Sequence, residues 1–126
     1  MIHGVGVDIV HVPRMKRNLD RYGERFARRI LTENECLEFR AAGSTAHFLA
    51  KRFAAKEAFA KALGTGFRDG LSLRQVGVRN DTLGRPGFVV SGRAGELMRQ
   101  FGIAAAHLSL ADENDYALAS VTLECP

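Results

Sequence analysis

Two carboxylates stand where carboxylates are costly. Asp8 interrupts the apolar run Val5-Gly6-Val7-Asp8-Ile9-Val10. A buried carboxylate must be paired, protonated or bound to a cation. Glu57 lies in Arg52-Phe53-Ala54-Ala55-Lys56-Glu57-Ala58-Phe59-Ala60-Lys61. On a helix, Phe53, Glu57 and Lys61 share one face, while Arg52 and Lys56 form a neighbouring basic row. Taken singly, each acid has a plainer reading. Asp8 can cap the helix that begins near Pro13. Glu57 can form a surface pair with Lys61, worth a few tenths of a kcal/mol. Taken together, hard oxygen donors with no histidine or cysteine beside them suit magnesium (Mg2+) rather than zinc. Magnesium takes one or two carboxylates and leaves its other positions to water and phosphate oxygens. Lys61 and Arg52 are cations placed to hold further phosphates. The pattern points to a phosphate-ester substrate.

Other chemistries find little support. Gly64-Thr65-Gly66 is not a GxxxxGK[ST] loop, and no GxGxxG run follows the first strand. Ser44, Ser72, Ser91, Ser109 and Ser120 have no nucleophile-elbow context. His3, His11, His47 and His107 show no HExxH spacing and read as structural.

The elements that must position these residues follow from periodicity. Ile2 to Val10 reads as a strand, with Val5 and Val7 on one face and Gly4, Gly6 and Asp8 on the other. Pro13 suits the first turn of a helix. From Arg14 to Ile30 the helical spacing gives two stripes. Met15, Leu19, Tyr22, Phe26 and Ile30 should face the core. Arg14, Arg17, Arg21, Arg25 and Arg28 make a basic stripe along the same helix, with Gly23 weakening it. Thr32-Glu33-Asn34-Glu35 is a capping-box signature that opens a helix to about Ala42, ended by Gly43. Ser44 or Thr45 caps a helix to about Leu63, which Gly64-Thr65-Gly66 stops. Phe48, Leu49, Phe53, Ala60 and Leu63 should supply much of its buried face.

The second half is richer in strands. Leu71 to Arg79 and Phe88-Val89-Val90 flank turn chemistry at Asn80 to Gly87. Arg93 to Phe101 reads as a short helix closed by Gly102. Ile103 to Leu110 and Tyr116 to Leu123 read as antiparallel strands joined by residues 111–115. Long helices followed by hairpins predict an α+β fold, with one antiparallel sheet packed on N-terminal helices.

The 126 residues fit one domain spanning 1–126. No apolar run approaches the roughly 20 residues a membrane helix needs. The amino terminus has no basic stretch ahead of its apolar run, so a secretion signal is not expected, and cytoplasmic residence is. Cys36 and Cys125 form no CxxC pair and read as reduced thiols, with Cys36 buried. A formal charge of +4 favours an acidic partner or ligand without choosing one.

The motifs, in order, resemble those of holo-acyl-carrier-protein synthases. Gly6-Val7-Asp8, followed by Arg14, resembles the GxDxxxxxR opening of that family. Arg52-Phe53-Ala54-Ala55-Lys56-Glu57-Ala58 with Lys61 resembles FxxKEAxxKA. Leu83-Gly84-Arg85-Pro86 is similar to the G-[KR]-P turn between them and the end. Leu108-Ser109-Leu110-Ala111-Asp112, followed by Tyr116-Ala117, is similar to the closing strand pair.

The resemblance implies a 4′-phosphopantetheinyl transferase fold and a magnesium-dependent reaction serving fatty acid biosynthesis. A serine of apo acyl carrier protein attacks the β-phosphate of coenzyme A, and adenosine 3′,5′-bisphosphate leaves. Asp8 and Glu57 are then the metal ligands, with Glu57 or a metal-bound water as the base. Lys61 steadies the pyrophosphate or the departing oxygen. Arg52, Lys61, Gly64, Arg85, Pro86 and His107 are the implied contacts to coenzyme A. Arg14, Arg21, Phe26 and Arg28 are the implied docking residues for the acidic carrier. The family is typically a homotrimer with active sites between subunits. Ala111-Asp112 stands where many members carry a serine–histidine pair. Two other classes stay open: a small basic nucleic-acid-binding module, and a coenzyme A-binding protein without catalysis. The arginines are not interleaved with aromatics, and no RRM or KH motif appears, which speaks against nucleic acid. A pure binder has no need of two metal-ligating carboxylates.

Overall fold

A computed structural model describes residues 1–126. The chain runs β1 (Ile2–His11), α1 (Val12–Tyr22), α2 (Glu24–Ile30), α3 (Glu33–Ala41) and α4 (Ala46–Leu63). A 3-10 turn (Leu73–Gln75), β2 (Val76–Asn80), β3 (Pro86–Val90), α5 (Gly92–Gln100), β4 (Ala105–Glu113) and β5 (Tyr116–Glu124) follow. The fold is α+β, as the order of elements predicts. The strands form two sheets rather than one: β1-β5-β4, and the hairpin β2-β3. All pairings are antiparallel. No helix is long and apolar enough to cross a membrane.

The three-stranded sheet has one covered face. Along β5, Ala117, Ala119, Val121 and Leu123 are fully buried at alternate positions, as the period of two in a strand requires. Gly6 and Asp8 of β1 lie opposite Val121 and Ala119, so they share that inner face. The inward stripe of β1 is therefore Gly4, Gly6, Asp8 and Val10, not Val5 and Val7. Val5, Val7 and Ile9 point outward and are exposed.

The reason is the approach of α4. Its small residues Ala54, Ala58 and Ala62 are buried against the sheet. A Cβ built on Gly4 would stand 2.0 Å from the carbonyl oxygen of Ala62, and one on Gly6 2.0 Å from that of Ala58. Only hydrogen fits between these backbones. Gly6→Ala is expected to cost about 1–3 kcal/mol by overpacking and to displace Asp8 from α4. A thermal melt and a transfer assay check both effects, and a wild-type melt would refute the packing argument.

The basic segment departs from one continuous helix. Gly23 adopts φ +64°, which splits it into α1 and α2. Met15, Ala27 and Ile30 reach the core, whereas Tyr22 is half exposed instead of buried. The break rotates the second face relative to the first. Thr32 makes the expected capping box with Glu35, and Thr45 rather than Ser44 caps α4. Gly64 ends α4 in the left-handed region at φ +89°.

Two strand limits differ from expectation. β2 begins only at Val76, because Leu73–Gln75 coil into the 3-10 turn. Residues 111–113 belong to β4 and not to a loop, so Asn114 and Asp115 alone make the turn. Asp112 is in register with Ala117. The polar run Asp112-Glu113 looks like a loop because β4 is an edge strand.

Candidate active site

Asp8, Glu57 and Lys61 come together where β1 crosses α4. The alternation of β1 turns Asp8 toward the helix, and the glycines before it let the strand lie close enough. Lys61 Nζ donates to Asp8 Oδ1 and to the carbonyl oxygen of Val7, each at 3.0 Å. The i,i+4 pair between Glu57 and Lys61 expected on an isolated helix does not form. Lys61 turns to β1 instead, and its side chain remains about half exposed.

Glu57 feels this arrangement. Partial burial pushes its pKa above the ordinary glutamate value, and the Asp8 charge pushes it in the same direction. Lys61 opposes both and does not cancel them. Two carboxylates are thus held near one another with too little positive charge between them. No group of three or more His, Cys, Asp or Glu side chains gathers anywhere in the chain. Asp8 and Glu57 alone would leave most of a hard dication's shell to water and phosphate oxygens.

The expected nucleotide contacts lie elsewhere on the chain. Arg85, Pro86 and His107 line a groove of about 600 Å³ between the β2-β3 hairpin and β4, together with Arg79, Asp81 and Phe88. His107 is opposite Thr122 on the outer face of the sheet, and its Nε2 lies 3.0 Å from Glu124 Oε1. That bond lowers the Glu124 pKa. Asp8 occupies the inner face of β1, and His107 the outer face of β4. These are opposite edges and opposite faces of one sheet. One chain does not bring them together. Gly64 is exposed at the end of α4, close in sequence to Lys61.

Arg52 and Lys56 are not a solvated row. Lys56 is fully buried. Its ammonium donates to Glu35 Oε1 at 2.6 Å, to the carbonyl of Ile30 at 2.7 Å and to that of Leu73 at 3.1 Å. Burial lowers the Lys56 pKa, and Glu35 opposes that shift. Glu35 also accepts from the N–H groups of Thr32 and Val78. Arg52 is buried too; it donates to Glu38 and stacks its guanidinium over Phe48. Its Nε is 3.8 Å from Glu35 Oε2 and has no hydrogen-bond partner. Arg52 also lines a recess of about 250 Å³ with Phe48, Lys51, Pro86 and Asp112. Sequence periodicity missed this node because Glu35 comes from a different helix.

The arginines expected to dock the carrier all lie at the surface. Arg14, Arg17, Arg21, Arg25 and Arg28 are exposed, as expected of a basic stripe. Arg21 sits over the Tyr22 ring, and Arg28 is 3.8 Å from Glu24. Phe26 is half buried between Arg25 and Arg29 at a recess that Tyr22 completes.

Residues 4–121 match the 4′-phosphopantetheinyl transferase superfamily. The chain belongs to that family. Within it, the chain is a transferase of the holo-[acyl-carrier-protein] synthase type. The synthase of Halorhodospira halophila is 54% identical, with 98% of each chain covered. That of Nitrosococcus oceani is 57% identical over 98% of this chain and 80% of its own length. The crystal structure of the Neisseria meningitidis synthase superimposes with a TM-score of 0.92 at 49% identity, covering 98% of this chain and 99% of that one. The Helicobacter pylori synthase, solved in complex with coenzyme A, superimposes with a TM-score of 0.84 at 27% identity, covering 95% of this chain and 99% of that one. The fold expected from the motifs is therefore the fold of the chain.

Proposed function

We propose that the chain transfers the 4′-phosphopantetheine group of coenzyme A to a serine of apo acyl carrier protein, in a magnesium-dependent reaction. The observation that carries this reading is the cluster of Asp8, Glu57 and Lys61. Asp8 and Glu57 would hold the metal, which supplies charge neutralisation to the diphosphate. Lys61 shares its ammonium between Asp8 and the backbone, and offers it to the diphosphate or to the departing oxygen. Glu57, or a water held beside it, is the candidate group to take the serine proton. The serine oxygen bonds to the phosphorus that carries pantetheine. The bond from that phosphorus to the bridging oxygen breaks, and adenosine 3′,5′-bisphosphate leaves. The loaded carrier would serve fatty acid biosynthesis, and cytoplasmic residence belongs to the same reading.

The groove of Arg85, Pro86 and His107 is the proposed seat of the nucleotide half, with Arg52 and Gly64 as further contacts. A homotrimer fits the separation of this groove from the carboxylates. Val5, Val7, Ile9, Tyr116 and Leu118 leave an apolar outer sheet face exposed, which copies of the chain would cover.

The test is direct. Purified protein is incubated with apo acyl carrier protein, coenzyme A and magnesium, and the carrier is weighed. A gain of one phosphopantetheine is expected. No gain, together with nucleic-acid binding that collapses with salt, would favour a basic binding module. No gain with retained coenzyme A binding would favour a non-catalytic binder.

The basic helix pair is the proposed docking site for the acidic carrier. Arg14→Ala is expected to raise KM for the carrier roughly 2- to 5-fold, the scale of one exposed ion pair. KM for coenzyme A should stay near wild type. Equal rises in both constants would refute the docking role.

A further inference from the structure

The tip of the β2-β3 hairpin projects away from the core. Leu83 at its centre is 94% exposed, and residues 81–85 are all exposed. No core packing therefore fixes the shape of this loop. Internal hydrogen bonds must do so. The backbone N–H of Asp81 donates to the carbonyl of Arg85 at 2.8 Å, and that of Gly84 to the carbonyl of Asp81 at 3.0 Å. Gly84 adopts φ +88°, which closes the turn.

The remaining bonds converge on one atom. Asp81 Oδ1 accepts from the N–H of Leu83 and from the N–H of Arg85, each at 2.9 Å. One side chain thus ties the middle of the loop and its exit to the same point. The exit is Arg85, which lines the groove beside Arg79 and His107.

The charge of Asp81 is out of place there. The other ionisable residues lining the groove are Arg79, Arg85 and His107, and Asp81 is its one acid. A carboxylate at the edge of an anion site repels the anion. Its acceptance of two backbone donors supplies the compensating reason for its presence. The Asp81 carboxylate forms no ion pair with the Arg85 guanidinium; it bonds only the backbone of that residue.

We propose that Asp81 is a positioning residue for nucleotide recognition, fixing the backbone of Arg85 so that its guanidinium overhangs the groove. It acts by accepting hydrogen bonds and not through its charge. The inference rests on the reading that this groove takes the nucleotide half of coenzyme A.

Four variants test it: Asp81→Ala, Asp81→Asn, Arg85→Ala and the double Asp81→Ala/Arg85→Ala. Each is assayed with varied coenzyme A at saturating carrier, and again with varied carrier. Asp81→Ala is expected to raise KM for coenzyme A on the order of 5- to 10-fold, the scale of one or two lost hydrogen bonds. Its kcat, its KM for the carrier and its melting temperature should stay near wild type. Asp81→Asn keeps an acceptor oxygen and loses the charge, so it should return KM to within about 2-fold of wild type. The double variant should match Arg85→Ala alone, because the aspartate acts through the arginine.

Three results overturn the inference. One is an Asp81→Ala enzyme with unchanged KM for coenzyme A. Another is an Asp81→Asn enzyme no better than Asp81→Ala. The third is a double variant whose loss is the product of the two single losses. A wild-type protein that cannot load the carrier takes down the transferase reading and this inference with it. A wild-type protein that loads the carrier, with any of the three results, removes the role of Asp81 alone.

Discussion

Glu57→Gln is expected to abolish transfer while making the metal-free protein more resistant to heat at neutral pH. The first effect follows from both proposed roles of the side chain. Glutamine cannot take a proton from serine, and it is a poor ligand for a hard dication. Loss of the base alone is worth on the order of 10²- to 10⁴-fold in rate. The second effect follows from the sign of the pKa shift. The folded chain raises the Glu57 pKa through burial first and the Asp8 charge second. Ionising Glu57 therefore costs the folded state more than the unfolded one. At acidic pH, below the ordinary glutamate value of about 4.3, the group is protonated in both states and no penalty exists. The penalty enters as pH rises through the elevated folded value. Glutamine removes it, so its gain over wild type should be absent in acid and present at neutral pH. Melting curves across that range, without added metal, give the measurement. A variant with near-normal turnover refutes the catalytic role. A variant that melts lower than wild type at neutral pH refutes the electrostatic account of the site. The two readouts are opposite in direction, which a general packing defect would not produce.

The proposed catalytic pair was legible because each member breaks a local rule. Asp8 violates the apolar run of β1, and Glu57 sits among alanines and phenylalanines. The ordered motifs then tied the two together across 48 intervening positions of chain, which periodicity alone does not do. Local signals held elsewhere too. Thr32 and Glu35 made their capping box, and Gly64 closed α4. What failed was set by tertiary contacts. The alternation of β1 separates two faces but does not say which is inward. Ordinary hydrophobicity favours Val5 and Val7. The backbone approach of α4, possible only over Gly4 and Gly6, reverses it. Gly23 reads as a weak point, while the positive φ that splits the helix shows only in the folded chain. The same holds for Lys56, which shares a helical row with Arg52 and would be solvated on an isolated helix. Its partner Glu35 lies on another element, and so does the desolvation that makes the pair matter.

That buried pair leads to the largest expected change in stability. Lys56→Met keeps the length of the side chain and removes its charge and donors. The Ile30 and Leu73 carbonyls each lose a donor, and the Glu35 carboxylate, 1% exposed, loses its nearest cation. Arg52 does not replace it, because its Nε stays 3.8 Å away and its terminal nitrogen is engaged by Glu38. Breaking one side of a buried ion pair costs about 3–5 kcal/mol. Against a total of about 5–15 kcal/mol, that is a large share. Melting should fall by roughly 10–20 °C for a chain of this size. Glu35→Gln should also destabilise, since it leaves the ammonium buried beside a neutral group. The double variant discriminates between a coupled pair and two independent packing losses. If the residues act as a pair, the double loss falls short of the sum by about 1–3 kcal/mol. A strictly additive loss would refute the pairing. The node joins the ends of α2 and the 3-10 turn to α3, α4 and β2. It thereby sets α4, which carries Glu57 and Lys61, against the strand that leads to Asp81 and Arg85. The least chemical-looking lysine of the motif thus holds the two halves of the proposed site in a fixed relation.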